Sequence, residues 1–201
     1  MGKIISFEGI HGCGKSTQAK MLYYYLLGKD IDVKHFSSQD KVLSKYIMEF
    51  LEKEGPQKAE ILFHLALAND LTLNKEFETN QNSTFILDRY THTNIVSAYM
   101  AGKGMRWAVE KSKVLRSPDI TYLIDLPSRD AHKRKDGQTN RIERGDFQSE
   151  FLGSGFIDYQ DKMSKAYLDV AKKDQKIVVI DGRSDKDACH KEILKSLEGG
   201  L

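Results

Sequence analysis

"KIISFEGIHGCGKSTQ" occupies residues 3–18. A short apolar run ends at Gly9, Gly14 is followed by Lys15, Ser16 and Thr17, and apolar residues then recur at helical spacing through "STQAKMLYYYLLGK" (16–29). The order strand, G-x-x-x-x-G-K-S, helix is that of a phosphate cradle. Glycines leave backbone N–H groups free to converge on an anion, and the helix that follows turns the positive end of its dipole toward it. Lys15 in this setting reaches the β- and γ-phosphates of a nucleotide, and Ser16 holds Mg²⁺. Gly9, His11, Gly12, Cys13, Gly14 and Thr17 complete the expected ATP-binding loop. The blander reading, a glycine-rich turn that merely opens a helix, is disfavoured by the full pattern in its strand-to-helix context.

Outward from this stretch, strand-like runs alternate with helical ones. "DVKHFS" (32–37), "STFILDR" (83–89), "DITYLIDLP" (119–127) and "QKIVVIDG" (175–182) read as strands two to five. Helical patterns cover about 41–53, then 59–77 and 185–198. Strands apolar on both faces and separated by helices predict a parallel sheet covered on each side. The expected architecture is therefore α/β: a three-layer P-loop NTPase fold with a five-stranded parallel sheet and helices on both faces. The polar, glycine-rich stretch 135–155, "KDGQTNRIERGDFQSEFLGSG", is the one excursion long enough to form a lid. A length of 201 residues fits a single domain, 1–201.

Composition narrows the function classes. Lys and Arg number 31 against 29 acids, and a net charge of +2 gives no global field for a nucleic-acid polymer. The longest apolar run is too short for a bilayer, so no membrane is expected. The N-terminus enters a strand pattern without the regions of a signal peptide, and Cys13 and Cys189 are isolated thiols, which together predict a cytoplasmic protein.

"ILDRY" (86–90) puts Asp88 and Arg89 at the carboxyl end of a buried strand, where open α/β sheets place their ligands. Asp88 suits a water-mediated Mg²⁺ role and Arg89 a bidentate grip on phosphate, with a structural ion pair as the alternative. Arg134, Arg141 and Arg144 lie in or before the lid stretch, where cations stabilise a transferring phosphoryl group, unless the loop is merely solvated.

These residues resemble a known family. "FEGIHGCGKSTQ", "ILFHLALAND", "ILDRY", "PDITYLIDLP", "RIERGDFQ" and "KIVVIDG" follow the order and approximate spacing of thymidylate kinases over essentially the whole chain. The resemblance implies conversion of ATP and dTMP to ADP and dTDP with Mg²⁺, by a homodimer acting on small-molecule nucleotides. It also implies that Phe63 stacks on the pyrimidine, that Arg89 grips the acceptor phosphate and that Arg141 is a lid arginine. Four departures accompany it. His11 stands where the family usually has an acid, Leu67 where an arginine bonds the thymine edge, and Gln39 where a further arginine is expected. Segment 93–104 fits only with a shift, leaving Met100 where a base-contacting Gln is often found, and Tyr99 beside it is a candidate substrate contact. Three of these fall on the acceptor side, which keeps open a kinase of a different nucleoside monophosphate. A deoxynucleoside kinase and a nucleotide-binding paralogue without turnover are further alternatives.

Overall fold

The computed structural model describes residues 2–37, 59–146 and 154–199. Five strands, β1 (Ile4–Glu8), β2 (Val33–Ser37), β3 (Thr84–Asp88), β4 (Ile120–Asp125) and β5 (Ile177–Asp181), form one sheet in the order β2-β3-β1-β4-β5. Every pairing is parallel, so the chain must cross over between strands. β1 is central and each of its residues is buried, which is why its sequence is apolar on both faces rather than alternating. Its one hydroxyl, Ser6, meets Thr121 Oγ1 of β4 at 2.7 Å, so the polar atom is satisfied in that interior.

The described helices are α1 (Lys15–Leu27), α2 (Ala59–Leu71), α3 (Leu73–Thr79), α4 (Thr91–Met100), α5 (Met105–Ser112), α6 (Ser128–Arg134), α7 (Arg141–Arg144), α8 (Gly155–Ala171) and α9 (Lys186–Gly199). α1 packs on β1, β2 and β3 and against α9, while α8 covers β4 and β5 and receives α4, α6 and α7. The strands lie where the apolar runs put them, to within two residues. Among the described residues no helix is long and apolar enough to cross a membrane.

Two local features differ from the expectation or explain it. The helix expected over 59–77 breaks at Thr72, whose hydroxyl donates to the Asn69 carbonyl at 2.6 Å and so competes with the helical ladder. The break re-aims α3, and Phe77 meets Phe85 of β3 edge-on, with ring centroids 4.8 Å apart. The dipeptide Pro118-Asp119 ties the start of β4 to β1, since Asp119 Oδ2 accepts from the Ile4 amide at 2.7 Å. The helical pattern over 41–53 lies outside the described residues.

Candidate active site

Beyond Glu8 the chain leaves β1 through Gly9 at φ +136°, where a Cβ would stand 2.6 Å from the Ile124 carbonyl oxygen. Gly12, at φ +79°, would place one 2.8 Å from the Ala131 carbonyl oxygen. The glycines thus stand where the loop presses on β4 and α6. Lys15 is buried and its ammonium donates to the Ile10 carbonyl at 3.1 Å, curled over the loop that carries it. Burial, and next the charge of Arg89, push its pKa below the ordinary lysine value. Ser16 and Thr17 are exposed at the start of α1, and Cys13 is buried. Arg134 joins the loop to the turn after β5, donating through Nη1 to the Cys13 carbonyl at 3.3 Å and through Nη2 to that of Gly182 at 2.7 Å.

Asp88 is paired in register with Phe7, which brings the carboxyl ends of β3 and β1 side by side. The Asp88 side chain is buried, and its Oδ1 has no hydrogen-bond partner among the described residues. A buried carboxylate oxygen left unsatisfied fits a water on a metal ion. Arg89 takes a left-handed conformation at φ +72°, a strained choice for a side chain this large. Its guanidinium Nη1 lies 3.2 Å from Thr93 Oγ1 and 3.3 Å from the Tyr167 hydroxyl.

Thr93 in turn donates to Glu8 Oε2 at 2.5 Å, and the Tyr90 amide donates to Glu8 Oε1 at 2.9 Å. Because the single Thr93 proton goes to Glu8, the Tyr167 hydroxyl must donate to Thr93, which it approaches to 2.8 Å. Burial first, with the Glu8 charge adding to it, pushes the Tyr167 pKa upward, so that proton is retained. Burial opposes the Arg89 charge, and Tyr167, Glu8 and Asp88 outweigh it to hold its pKa above the ordinary value. Glu8, Thr93 and Tyr167 were not singled out from the sequence. The available signal was an acid inside a fully buried strand, which demands partners.

Within the expected lid stretch the structure holds α7, a single turn. Asn140 and Glu143 cap it reciprocally: Glu143 N donates to Asn140 Oδ1 at 2.9 Å and Asn140 N to Glu143 Oε2 at 3.1 Å. Arg141 opens this turn and is exposed; among the described residues its guanidinium has no partner. Arg144 is committed to the turn itself, donating to Asp146 Oδ2 at 2.7 Å and to the Thr139 carbonyl at 2.7 Å. His11 Nδ1 lies 3.4 Å from Glu143 Oε1. Burial, then the charge of Arg89, pushes the His11 pKa down to about 3, so the imidazole is neutral near pH 7 despite its acidic neighbour.

On the acceptor side, Phe63 and Leu67 are buried one turn apart on α2, and Phe63 packs on Trp107 with ring centroids 4.9 Å apart. α2 is bound to α4 by Asn94, whose Nδ2 donates to Asp70 Oδ2 at 2.7 Å. Tyr99 is exposed on α4. Gln39 lies outside the described residues.

The geometry therefore gathers an amide-lined loop with its lysine and hydroxyl, a buried carboxylate and a braced arginine at the carboxyl ends of neighbouring parallel strands. That arrangement sets two cationic side chains and a row of loop amides at one edge of the sheet, a setting suited to phosphate groups. Comparison with known proteins supplies the family. The chain matches the thymidylate kinase family over residues 7–193. A thymidylate kinase of Fervidobacterium nodosum is 31% identical over 202 residues, covering 95% of this chain and 96% of the relative. One from Caldanaerobacter subterraneus is 30% identical, covering 98% and 95%, and one from Plasmodium falciparum is 26% identical, covering 98% and 90%. With the phosphate loop, the "DRY" turn and the lid motif of one polypeptide all falling inside that match, the chain belongs to the thymidylate kinase family.

Proposed function

We propose that this chain is a thymidylate kinase, transferring the γ-phosphoryl group of ATP to dTMP to give ADP and dTDP. The observation that carries the reading is the juxtaposition of the phosphate loop with Asp88 and Arg89 on adjoining strands, in a chain matched to the family over 7–193. An oxygen of the acceptor phosphate attacks the γ-phosphorus in line, the bond from that phosphorus to the β,γ-bridging oxygen breaks, and ADP leaves. The attacking oxygen is already largely ionised, so no general base is required. What the protein supplies is position and positive charge.

Lys15 and the loop amides from Gly9 to Thr17 hold the donor phosphates, with Arg134 behind them. Arg89 grips the acceptor phosphate, and Arg141 stands over the point of transfer. Ser16 and, through water, Asp88 would hold Mg²⁺, which when bound draws charge from the β- and γ-oxygens. Phe63 backs the pyrimidine; Leu67, Gln39, Tyr99 and His11 are the neighbouring positions that set the acceptor. The reading includes a cytoplasmic homodimer, supported by the two unpaired thiols and the family resemblance.

A coupled assay of ADP release tests it, with dTMP, dUMP, 5-substituted dUMPs, dCMP, ribonucleotides and free thymidine as acceptors. dTMP is expected to be preferred. Preference for another monophosphate would replace the acceptor assignment, preference for thymidine would replace the class, and ATP binding by calorimetry without turnover on any acceptor would overturn the enzyme.

A further inference from the structure

Of the three groups of the loop-to-lid contact, Glu143 and Gln160 have no part in the transfer described above and His11 enters it only as a loop residue beside the acceptor, yet the polar side-chain atoms of Glu143 and Gln160 are all engaged there. The Gln160 side chain, on α8, is fully buried. Its Oε1 accepts from the His11 amide at 3.0 Å and its Nε2 donates to the Glu143 carbonyl at 2.7 Å, so one amide group joins the phosphate loop to α7. The Glu143 carboxylate works in both directions as well. Oε2 caps α7 through the Asn140 amide, while Oε1 receives the Lys135 ammonium at 3.0 Å and faces His11 Nδ1 at 3.4 Å.

A helix of one turn has too few internal bonds to persist by itself, since nucleation fixes several dihedrals for one hydrogen bond. α7 is therefore held by its surroundings, and the surroundings are the phosphate loop and α8. Arg141 is the first residue of that turn. Its placement is set by the clasp beneath it.

We infer that Glu143 and Gln160 are positioning residues that hold Arg141 in register with the phosphate loop, with His11 as the phosphate-loop half of the clasp. The inference rests on the proposed role of Arg141. It also explains the imidazole at position 11. An acid there would face the Glu143 carboxylate across the same gap and push α7 away, whereas a neutral ring presents an N–H to it. The Lys135 ammonium adds a second anchor on the same oxygen, and the carbons of its stem pass over Gly12, where a Cβ would meet them at 3.2 Å.

The test is a set of kinetic cycles in the full-length protein. His11→Asp and Gln160→Leu are each made with Arg141 present and with Arg141→Ala. With Arg141 present each lowers kcat by about 10- to 100-fold, the range expected from displacing a transition-state group by about 1 Å, while KM for ATP moves by less than about threefold. In the Arg141→Ala background the same changes alter kcat by less than about twofold, because the group they position is gone. Adding Glu143→Gln to His11→Asp restores most of kcat, since the like charge is removed. Equal losses of kcat in both backgrounds overturn the inference. Normal kcat in Arg141→Ala alone overturns the role of Arg141, and the inference with it. Should Gln160→Leu not fold, the His11→Asp and Glu143→Gln cycle still decides.

Discussion

The Tyr167 hydroxyl lies 3.3 Å from Nη1 of Arg89, linking α8 to the end of β3 across 78 positions of sequence. The same hydroxyl supplies the proton that Thr93 needs once its own has gone to Glu8. Tyr167→Phe removes both at a stroke. KM for dTMP is expected to rise about 3- to 10-fold with KM for ATP unchanged, the size of one or two lost hydrogen bonds. Steady-state kinetics with each substrate varied in turn checks it, and an equal effect on ATP would show that the network does not serve Arg89 selectively.

In the proposed reaction, Lys15→Ala removes the ammonium that holds the donor phosphates. kcat is expected to fall by at least about a hundredfold, in line with loss of a preorganised charge at the transferring group. The fold should survive, because the substitution deletes a buried cation whose pKa is already lowered, first by burial and then by the charge of Arg89. Circular dichroism and a thermal melt alongside the assay separate the two effects.

Stability should fall on the acid side in a way that His11 helps to set. Its pKa drops from an ordinary 6.5 to about 3 on folding, chiefly through burial and then the charge of Arg89. Between those values the unfolded chain binds a proton that the folded chain does not, so its share of stability is present above pH 6.5 and is lost as pH falls toward 3. Glu143 acts in a lower window. Burial raises its pKa, and the bonds from His11, Lys135 and the Asn140 amide outweigh this to bring it from 4.5 to about 2. Melting temperature against pH is expected to decline less steeply between pH 6.5 and 4.5 in His11→Asn than in the parent protein.

Gly9→Ala tests the loop's close approach to β4. Its φ of +136° is unfavourable to any side chain, and the added carbon would stand 2.6 Å from a backbone oxygen that cannot rotate away. A loss of about 2 kcal/mol or more in unfolding free energy is expected in a denaturant melt. A change below about 0.5 kcal/mol would mean that the loop relaxes freely.

The strands and the phosphate loop were legible because their signals are local: "IISFE" and "TFILD" are apolar runs buried on both faces, and the turn after the first of them is served by Gly9 at φ +136°. Thr72 concealed the break between α2 and α3, since its hydroxyl bond to Asn69 leaves the apolar pattern of 59–77 uninterrupted. The support of Arg89 was illegible for a different reason. Glu8 and Thr93 are 85 positions apart, and nothing in either neighbourhood names the other. Arg144 shows the opposite limit, for its place in a charged run gave no hint that Asp146 and Thr139 already hold it. The link from His11 to Glu143 likewise exists only once α8 has brought Gln160 beneath both.

β1 and β3 are hydrogen-bonded neighbours, and the chain leaves β1 for Lys15 and β3 for Arg89. In the proposed reaction this makes the sheet a ruler. The donor grip and the acceptor grip are rooted on backbones about 4.8 Å apart, a separation set by main-chain hydrogen bonding and not by any side chain. Substitutions on α2 and α4 can therefore retune which base is accepted while the gap that the phosphoryl group must cross stays the same.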